Sequence, residues 1–221
     1  MEIRESAGEQ MTYYPIFLDL TGRRCVVIGG GSIAERKVEG LLAAGAEITV
    51  VSPEMSEGLG LLLMHGSIKH VARKYQNGDL EGYAMAFVAT DDEAITAAVF
   101  CEARCRGIWV NCADDPSHCD FILPAVIRRG ELAIAVSSGG ASPALARAVR
   151  EELEKFLTDD FAQLVQTASE VRRELRQRSL QTTAEAWNRA LTGDFRHLIQ
   201  QGKTGEAKQL LLATLEGMSC E

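Results

Sequence analysis

The chain has 221 residues, of which 46% are hydrophobic and 24% are charged, as expected for a globular protein with a sizeable core. Its net charge of −8 argues against nucleic acid as a bulk electrostatic partner, although a local basic cluster can still bind a small anion. No stretch approaches the roughly 18 apolar residues of a membrane-spanning helix, so no membrane partner is expected.

The first segment, residues 1–12, is polar and carries acidic side chains without an apolar signal core. We therefore expect a flexible extension, no export and a cytoplasmic location. Six cysteines are spread along the chain, and in a reducing compartment they are expected to be free thiols.

Residues 24–51 have the pattern of a strand–helix–strand unit. A β-branched run at Arg24–Ile28 leads into a glycine-rich turn, and residues 35–44 then place apolar side chains at helical spacing. Gly45 is suited to end that helix, and Glu47–Val51 is a second buried-type strand. The unit predicts two parallel strands joined by a crossover helix.

The alternation of strands and helices continues to about residue 136. The predicted strands are residues 67–71, 83–89, 108–111 and 132–136, and residues 92–106 form a helix that ends at Gly107. This alternation predicts an α/β fold with a Rossmann-type parallel sheet.

The pattern becomes helical after Ser142, which is well placed as an N-cap before Pro143. The helical pattern runs from residue 143 to about residue 180. Its first part places Leu145, Val149, Leu153 and Phe156 on one face. Further helices are predicted at residues 184–191 and 204–215.

The turn after the first strand matches the dinucleotide-binding pattern G-x-G-x-x-G/A with Gly29, Gly31 and Ala34. The first glycine allows the tight turn, the second lets a pyrophosphate approach the backbone, and the small third residue allows close helix–strand packing. Because the motif lies between a strand and a helix, we interpret it as a dinucleotide site. The alternative is a tight turn that binds nothing.

The end of the second strand departs from the usual pattern, which has an acidic residue that binds the ribose. Ser52 occupies that position and is followed by Pro53 and Glu54. Glu54 or backbone groups are the candidates for the ribose contact. Because no arginine stands there to bind a 2′-phosphate, NAD is favoured over NADP.

Two further segments have residues suited to chemistry. Asp114 and Asp115 follow the fifth predicted strand, where a carboxylate can act as a base, although Asp-Asp-Pro is also a common solvated turn. Residues 137–147 form a glycine-rich turn that opens a helix bearing Arg147, with Arg150 one turn on. Such a turn can bind carboxylate groups.

The cysteines do not form a metal-binding motif. Cys101 and Cys105 are one helical turn apart, and Cys119 follows His118, but no C-x-x-C pair occurs. We interpret these thiols as buried small side chains and predict no metal site.

Taken together, these motifs resemble those of the precorrin-2 dehydrogenase/sirohydrochlorin ferrochelatase family, which includes the N-terminal module of siroheme synthase. The similar segments are residues 14–18 (YPIFL), 27–37 (VIGGGSIAERK), 89–92 (ATDD), 111–114 (NCAD), 121–124 (FILP) and 137–147. Their order and spacing resemble the family's from residue 14 to about residue 153.

The resemblance implies a three-part organisation and a homodimer. The expected parts are an NAD-binding Rossmann domain at residues 13–113, a central dimerisation region at 114–148 and a helical C-terminal domain at 149–221. Asp114 is implied to be the catalytic residue. The implied NAD contacts include Ser32, Ile33, Pro53 and Glu54. To these and the loop glycines Gly29 and Gly31 we add the cofactor-site residues Ser52, Thr90 and Asn111. The expected substrate-binding residues are Ser138, Gly139, Arg147 and Arg150.

The implied activity is NAD-dependent oxidation of precorrin-2 to sirohydrochlorin. Asp114 or water would take the proton, and Arg128, Arg129, Arg147 and Arg150 are candidates to bind substrate carboxylates. Two alternatives stay open: an enzyme that also inserts Fe²⁺ into sirohydrochlorin, and a non-catalytic NAD-sensing domain. The fused methyltransferase of some family members is not expected in a chain of this length.

Overall fold

The computed structural model describes residues 13–113, 115–191 and 193–218. The predicted extension at residues 1–12, the candidate catalytic residue Asp114 and Cys220 therefore lie outside the described residues. The chain divides into two compact units, the first ending at Leu123 and the second beginning at Pro124. Among the described residues, every helix is too short or too polar to span a lipid bilayer.

The first unit contains a five-stranded parallel sheet, which confirms the predicted α/β class. The strands are β1 Arg24–Ile28, β2 Glu47–Val51, β3 Ile68–Val71, β4 Met85–Val88 and β5 Trp109–Cys112. Their order in the sheet is β3-β2-β1-β4-β5. The chain reverses its direction of winding between β1 and β4, and α/β sheets bind their ligands at the carboxyl ends of such a pair.

Three helices pack on this sheet: α1 Ser32–Ala43, α2 Glu57–Met64 and α3 Glu93–Arg106. Helix α3 matches its prediction because local signals mark both ends: the Asp92 carboxylate accepts hydrogen bonds from the first turn, and Gly107 ends the helix at a φ of +68°. Helix α2 was not predicted, because its run of leucines has no clear helical periodicity.

The central strands β1 and β4 are apolar on both faces because the helices cover the sheet from both sides. Successive side chains of β1 alternate, so Val27 packs in the core beneath α1, whereas Val26 packs in the core beneath α3. Phe87 and Val88 of β4 divide between the same two cores. The sheet therefore supplies a rigid frame for the loops at its carboxyl edge.

Residues 115–121, called the return segment, run back along the edge strand β5 after a short 3₁₀ turn at Pro116–His118. The backbone N–H of Asp120 donates to the Val110 carbonyl at 2.8 Å, and the Asp120 carboxylate accepts from the Val110 N–H at 2.9 Å. These bonds satisfy backbone groups that an edge strand would otherwise expose.

The second unit begins with an antiparallel hairpin and continues with helices. Its elements are β6 Ala125–Arg129, β7 Leu132–Val136, α4 Pro143–Phe156, α5 Asp160–Gln177, α6 Ala184–Ala190, α7 Gly193–Gln200 and α8 Thr204–Gly217. The sequence predicted neither β6 nor α7. The helices α5 to α8 enclose a core that includes Val171, Leu175, Phe195 and Leu211.

The helical pattern predicted from residue 143 to about residue 180 is confirmed, but the chain divides it into two helices, α4 and α5, with a break at Leu157 that the pattern did not show. Arg129 of β6 donates from its Nε to the Leu157 carbonyl at 2.8 Å, which satisfies a backbone group freed by the break. The partner of that carbonyl is distant in sequence, so helical periodicity alone cannot locate the break.

Helix α4 carries the predicted apolar face, but this face is exposed in the single chain. Leu145 is 56% exposed and Phe156 is 76% exposed, and Val149 and Leu153 are also exposed. The buried residue of α4 is Ala146. The strong amphipathicity of α4 is therefore not explained by packing within this chain.

Candidate functional site

Most of the predicted cofactor residues meet at the carboxyl edge of the sheet. The glycine turn follows β1, residues 52–54 follow β2, and Thr90 lies just beyond β4. Ile28 at the end of β1 pairs with Val51 on one side and with Val88 on the other, so the three segments leave the sheet at the same level. The fold thus brings together residues that lie far apart in the sequence.

The three glycines of the turn have different surroundings. Gly29 has a φ of +118°, and a Cβ there would lie 2.1 Å from the Ala89 carbonyl oxygen. A Cβ at Gly30 would lie 1.9 Å from the Glu54 carbonyl oxygen. At Gly31, by contrast, a Cβ would meet no heavy atom of the surrounding described residues within 4 Å. Packing therefore explains the first two glycines but not the third.

The start of α1 is suited to bind an anion. Gly31 is the N-cap and gives the helix no side-chain cap, while Ser32 is exposed and Ile33 is partly exposed. The backbone N–H groups of a first helical turn have no partner within the helix and carry the positive end of its dipole. Open space at Gly31 beside these donors matches the site that a pyrophosphate needs.

Glu35, the acidic residue in the first turn of α1, does not repel an anion at Gly31 at close range, because its carboxylate is bonded to the start of α2. The carboxylate of Glu35 accepts a 2.5 Å hydrogen bond from the hydroxyl of Ser56, the N-cap of α2. Gly58 makes room for it, since a Cβ at Gly58 would lie 2.0 Å from Glu35 Oε1. Sequence reasoning missed this contact, which joins α1 to α2.

The segment after β2 closes the glycine turn from the other side. The Ser52 hydroxyl is buried and donates to the Glu54 carbonyl at 2.6 Å, and the Ser56 N–H donates to the Gly30 carbonyl at 2.7 Å. Pro53 and Glu54 are exposed. Glu54 therefore holds the turn through its backbone and presents its carboxylate to solvent.

Asn111 on β5 is buried, and both ends of its side chain have protein partners. Its Oδ1 accepts a 2.7 Å hydrogen bond from the ammonium group of Lys37 on α1, and its Nδ2 donates to the Phe121 carbonyl at 3.0 Å. Lys37 also lies over the Phe87 ring, with Nζ 5.8 Å from the centroid. Sequence reasoning did not identify Lys37, because no local signal links it to a strand 74 residues away.

Cys119 of the return segment interacts with the end of β5. Its sulfur accepts a hydrogen bond from the Cys112 N–H at 3.1 Å and lies 3.2 Å from the Cys112 carbonyl oxygen. Hydrogen bonding from the Cys112 thiol lowers the pKa of the Cys119 thiol to about 7, and the Cys112 N–H and the Lys37 charge act in the same direction. The same pairing raises the pKa of Cys112.

The carboxylate of Asp115 is bonded to residues of the 3₁₀ turn that follows it. It accepts hydrogen bonds at 2.5 Å from the Ser117 hydroxyl and from His118 Nδ1. The Ser117 contact, followed by that of His118, lowers the pKa of Asp115. Asp115 is thus an ionised, engaged side chain that stabilises the turn.

The predicted substrate-binding residues lie in the second unit, at the start of α4. Ser138 closes the turn, since its hydroxyl accepts from the Ser142 N–H and donates to the Ser142 carbonyl, both at 2.9 Å. Gly139 has a φ of +65°, and Gly140 has one of +87°. The Ser142 hydroxyl caps α4 by accepting from the Leu145 N–H, as predicted.

The four candidate arginines differ in their surroundings. Arg128 and Arg147 are exposed. Arg150 forms ion pairs with Glu154 at 2.5 Å and with Glu151 at 3.0 Å. Arg129 binds the Leu157 carbonyl and lies 3.4 Å from Glu154, so its contacts are structural. Arg128 and Arg147 are therefore the candidates best placed to meet a ligand from solvent.

The described cysteines are free thiols. The sequence predicted that Cys101, Cys105 and Cys119 are buried, and this was wrong. Cys101 and Cys105 are exposed on α3, and Cys119 is partly exposed. Within the described ranges, no group of three or more histidine, cysteine, aspartate or glutamate side chains is arranged to hold a metal.

The strand order, the glycine turn and the open start of α1 define the class of the first unit as a Rossmann-type dinucleotide-binding domain. Comparison with known proteins agrees. A family model described as putative NAD(P)-binding matches residues 16–125, and one described as sirohaem biosynthesis protein central matches residues 129–155. The cofactor class is accordingly a nicotinamide dinucleotide.

Curated relatives include the siroheme synthase of Nitrosomonas eutropha, 41% identical over 208 residues, which cover 93% of this chain and 44% of the relative. The siroheme synthase of Pseudomonas aeruginosa is 38% identical over 209 residues, with 94% and 45% covered. The solved structure of SirC, precorrin-2 dehydrogenase, superposes with a TM-score of 0.70 at 29% identity, covering 93% of this chain and 100% of that one.

The chain belongs to the family that these two models and the siroheme synthases represent, and the family predicted from the motifs is confirmed. The chain spans less than half the length of the curated siroheme synthases that it matches.

Proposed function

We propose that this protein is an NAD-dependent dehydrogenase that oxidises precorrin-2 to sirohydrochlorin in siroheme biosynthesis. The observation that carries the proposal is the open backbone at Gly31, beside uncapped helix N–H groups, in a chain of this family. The 29% identity to SirC, precorrin-2 dehydrogenase, over that protein's full length supports the choice of reaction.

The residues present fit a nicotinamide dinucleotide. Gly31, Ser32 and Ile33 would bind the pyrophosphate through backbone N–H groups, because no side chain of the described residues fills that space. Gly29 shapes the turn, while Thr90 and Asn111 line the ends of β4 and β5. When bound, the dinucleotide supplies the hydride acceptor for the oxidation.

The proposed cofactor is NAD in preference to NADP. Neither lysine nor arginine occurs between Ser52 and Ser67, the stretch that follows β2. The exposed carboxylate of Glu54 in this segment would repel a 2′-phosphate and can accept hydrogen bonds from a ribose. Electrostatics at this end of the site therefore favour the unphosphorylated ribose.

Asp114 is the proposed catalytic residue, with water as the alternative proton acceptor. Its neighbours on both sides are anchored: the Ala113 N–H donates to the Val88 carbonyl at 2.9 Å, and the Asp115 carbonyl accepts from the Cys119 thiol at 3.2 Å. The case for Asp114 itself is chemical: a carboxylate that follows a strand of such a sheet can act as a general base.

The proposed tetrapyrrole site includes Ser138, Gly139, Arg147 and Arg150. The two positive-φ glycines and the Ser138 bonds make a tight turn before the N-terminus of α4, which suits a carboxylate of the substrate. Arg147 can bind a second carboxylate from solvent, whereas Arg150 would first have to leave Glu154.

We also propose a homodimer that buries the exposed apolar face of α4. Leu145, Val149, Leu153 and Phe156 form this face, and a row of large exposed apolar side chains at helical spacing is typical of an interface. This face begins in the predicted dimerisation region at residues 114–148 and continues into the predicted helical domain at 149–221, so the proposed interface extends past that boundary, while the proposed cofactor domain is residues 13–113. The predicted cytoplasmic location stays a prediction.

The deciding experiment is an anaerobic absorbance assay of the purified chain with precorrin-2 and NAD⁺. We expect one NADH for each sirohydrochlorin formed, and a lower rate with NADP⁺. Fe²⁺ is added afterwards as a second substrate: siroheme formation faster than without protein would add ferrochelatase activity. No NADH above the protein-free control, from a folded sample that still binds NAD, would refute the dehydrogenase and favour an NAD-sensing role.

A further inference from the structure

The buried link between α1 and β5 is not explained by packing alone. Lys37 is a charged residue on the helix that follows the glycine turn, and its ammonium is 2.7 Å from the Asn111 side-chain oxygen. Keeping a charge in a half-buried place costs free energy, unless the charge has strong partners. Here the charge is compensated by the Phe87 ring and by the Asn111 oxygen, which places a charge-assisted hydrogen bond between the cofactor-binding helix and β5.

The link continues from Asn111 into the return segment. The amide of Asn111 donates to the Phe121 carbonyl at 3.0 Å and lies 3.7 Å from the Cys119 sulfur. Cys119 in turn holds the backbone of Cys112. Lys37 therefore lies at the start of a hydrogen-bond chain that closes both ends of residues 112–121 onto the sheet.

We propose that Lys37 is a positioning residue, whose ammonium group holds Asn111 and through it the loop of residues 112–121 that carries Asp114. This inference rests on the proposed function, because the loop matters for turnover only if the chain is a dehydrogenase. It assigns Lys37 no contact with the substrate. The effect passes through Asn111 and Cys119, and it joins the cofactor-binding helix to the loop with the candidate base.

The charged and titratable groups around this loop come from three elements. Lys37 approaches from α1, Cys112 belongs to β5, and the return segment supplies Asp115, His118 and Cys119. After the Cys112 thiol and N–H, the Lys37 charge also lowers the pKa of Cys119, so the titration of Cys119 is sensitive to the Lys37 charge beside the return segment. That readout needs neither precorrin-2 nor turnover.

The test compares Lys37→Met, Lys37→Arg and Lys69→Met. Methionine keeps the packing over Phe87 without the charge, arginine keeps the charge, and Lys69→Met removes the same charge from an exposed site on β3. For Lys37→Met we expect a fall in kcat of about tenfold to a hundredfold, as for a modestly misplaced catalytic group. We expect the NAD dissociation constant to change less than kcat, since the pyrophosphate contacts at the start of α1 are unchanged even if Asn111 shifts.

The thiol readout is the pH dependence of Cys119 alkylation by iodoacetamide, followed by peptide mass analysis to separate Cys119 from the exposed Cys101 and Cys105. In Lys37→Met, the midpoint should move to higher pH, because loss of a nearby cation disfavours the thiolate. In Lys37→Arg and Lys69→Met, the midpoint should stay near that of the wild type, and kcat should recover in Lys37→Arg. If Lys37→Met does not fold, Lys37→Gln replaces it with the same expectations.

Wild-type kcat in Lys37→Met would overturn the proposal. So would a loss of kcat that follows a lower melting temperature and is not rescued by arginine, since that is a purely structural effect. If the wild-type chain itself does not oxidise precorrin-2, the proposed function fails. The alkylation midpoint then still tests whether the Lys37 charge acts on Cys119, and an unchanged midpoint in Lys37→Met overturns the link.

Discussion

The substitution Gly31→Ala in the glycine turn is expected to weaken NAD binding while it leaves the stability of the fold nearly unchanged. The added methyl meets no protein atom within 4 Å, and the N-cap conformation, with φ −83° and ψ −171°, is one that alanine adopts without strain. As an N-cap, alanine is less favourable than glycine by about 1 kcal/mol. Alanine also lowers the conformational entropy of the unfolded chain, which stabilises the folded state by roughly 0.4–1 kcal/mol and offsets most of that cost. The free energy of unfolding should therefore fall by no more than about 0.6 kcal/mol.

The same methyl would occupy the space through which a pyrophosphate approaches the α1 N–H groups. The loss of one charge-assisted hydrogen bond costs about 1.5–3 kcal/mol, which corresponds to roughly a tenfold to hundredfold increase in the NAD dissociation constant. Titration calorimetry with NAD⁺ measures this constant, and thermal unfolding without cofactor measures stability.

Gly30→Ala is the matched control, because its methyl would lie 1.9 Å from the Glu54 carbonyl oxygen and 2.7 Å from Ser52 Oγ. The φ of Gly30 is not positive, so alanine there causes no backbone strain and destabilises the protein only through the steric clash. Overpacking of this kind lowers the free energy of unfolding by about 1–3 kcal/mol or more. If Gly31→Ala binds NAD as tightly as the wild-type chain, the pyrophosphate does not bind at Gly31, and the glycine turn has a structural role only.

Three further predictions concern specificity, assembly and chemistry. Glu54→Arg should raise kcat/KM with NADP⁺ relative to NAD⁺ by at least about tenfold, since a guanidinium replaces a repelling carboxylate; an unchanged ratio in parallel assays would place the ribose elsewhere. Phe156→Glu should weaken the dimer by about tenfold or more in analytical ultracentrifugation, whereas Lys155→Gln, with the same change in net charge, should not; equal behaviour would argue against the α4 face. Asp114→Asn should lower kcat by about a hundredfold or more with NAD affinity retained, and undiminished turnover would point to water as the proton acceptor.

Local signals in the sequence determined the first strand–helix–strand unit. β1 and β2 have the predicted bounds, because a β-branched run next to glycine leaves the chain few alternatives. Asp92 and Gly107 marked the ends of α3 for a similar reason, since caps act through residues close in sequence. The same property let the motifs reveal the family, because glycine turns and helix caps must keep their spacing to work.

Only the tertiary structure decided which of these signals act together. The break after α4 depends on Arg129, and the loop that carries Asp114 is tied to Lys37 through Asn111, across 74 residues. Such contacts leave no periodicity in the sequence, since each partner is placed by a different element. The α4 face shows the converse: its apolar spacing was plain from the sequence, but only the fold shows that this chain leaves it exposed.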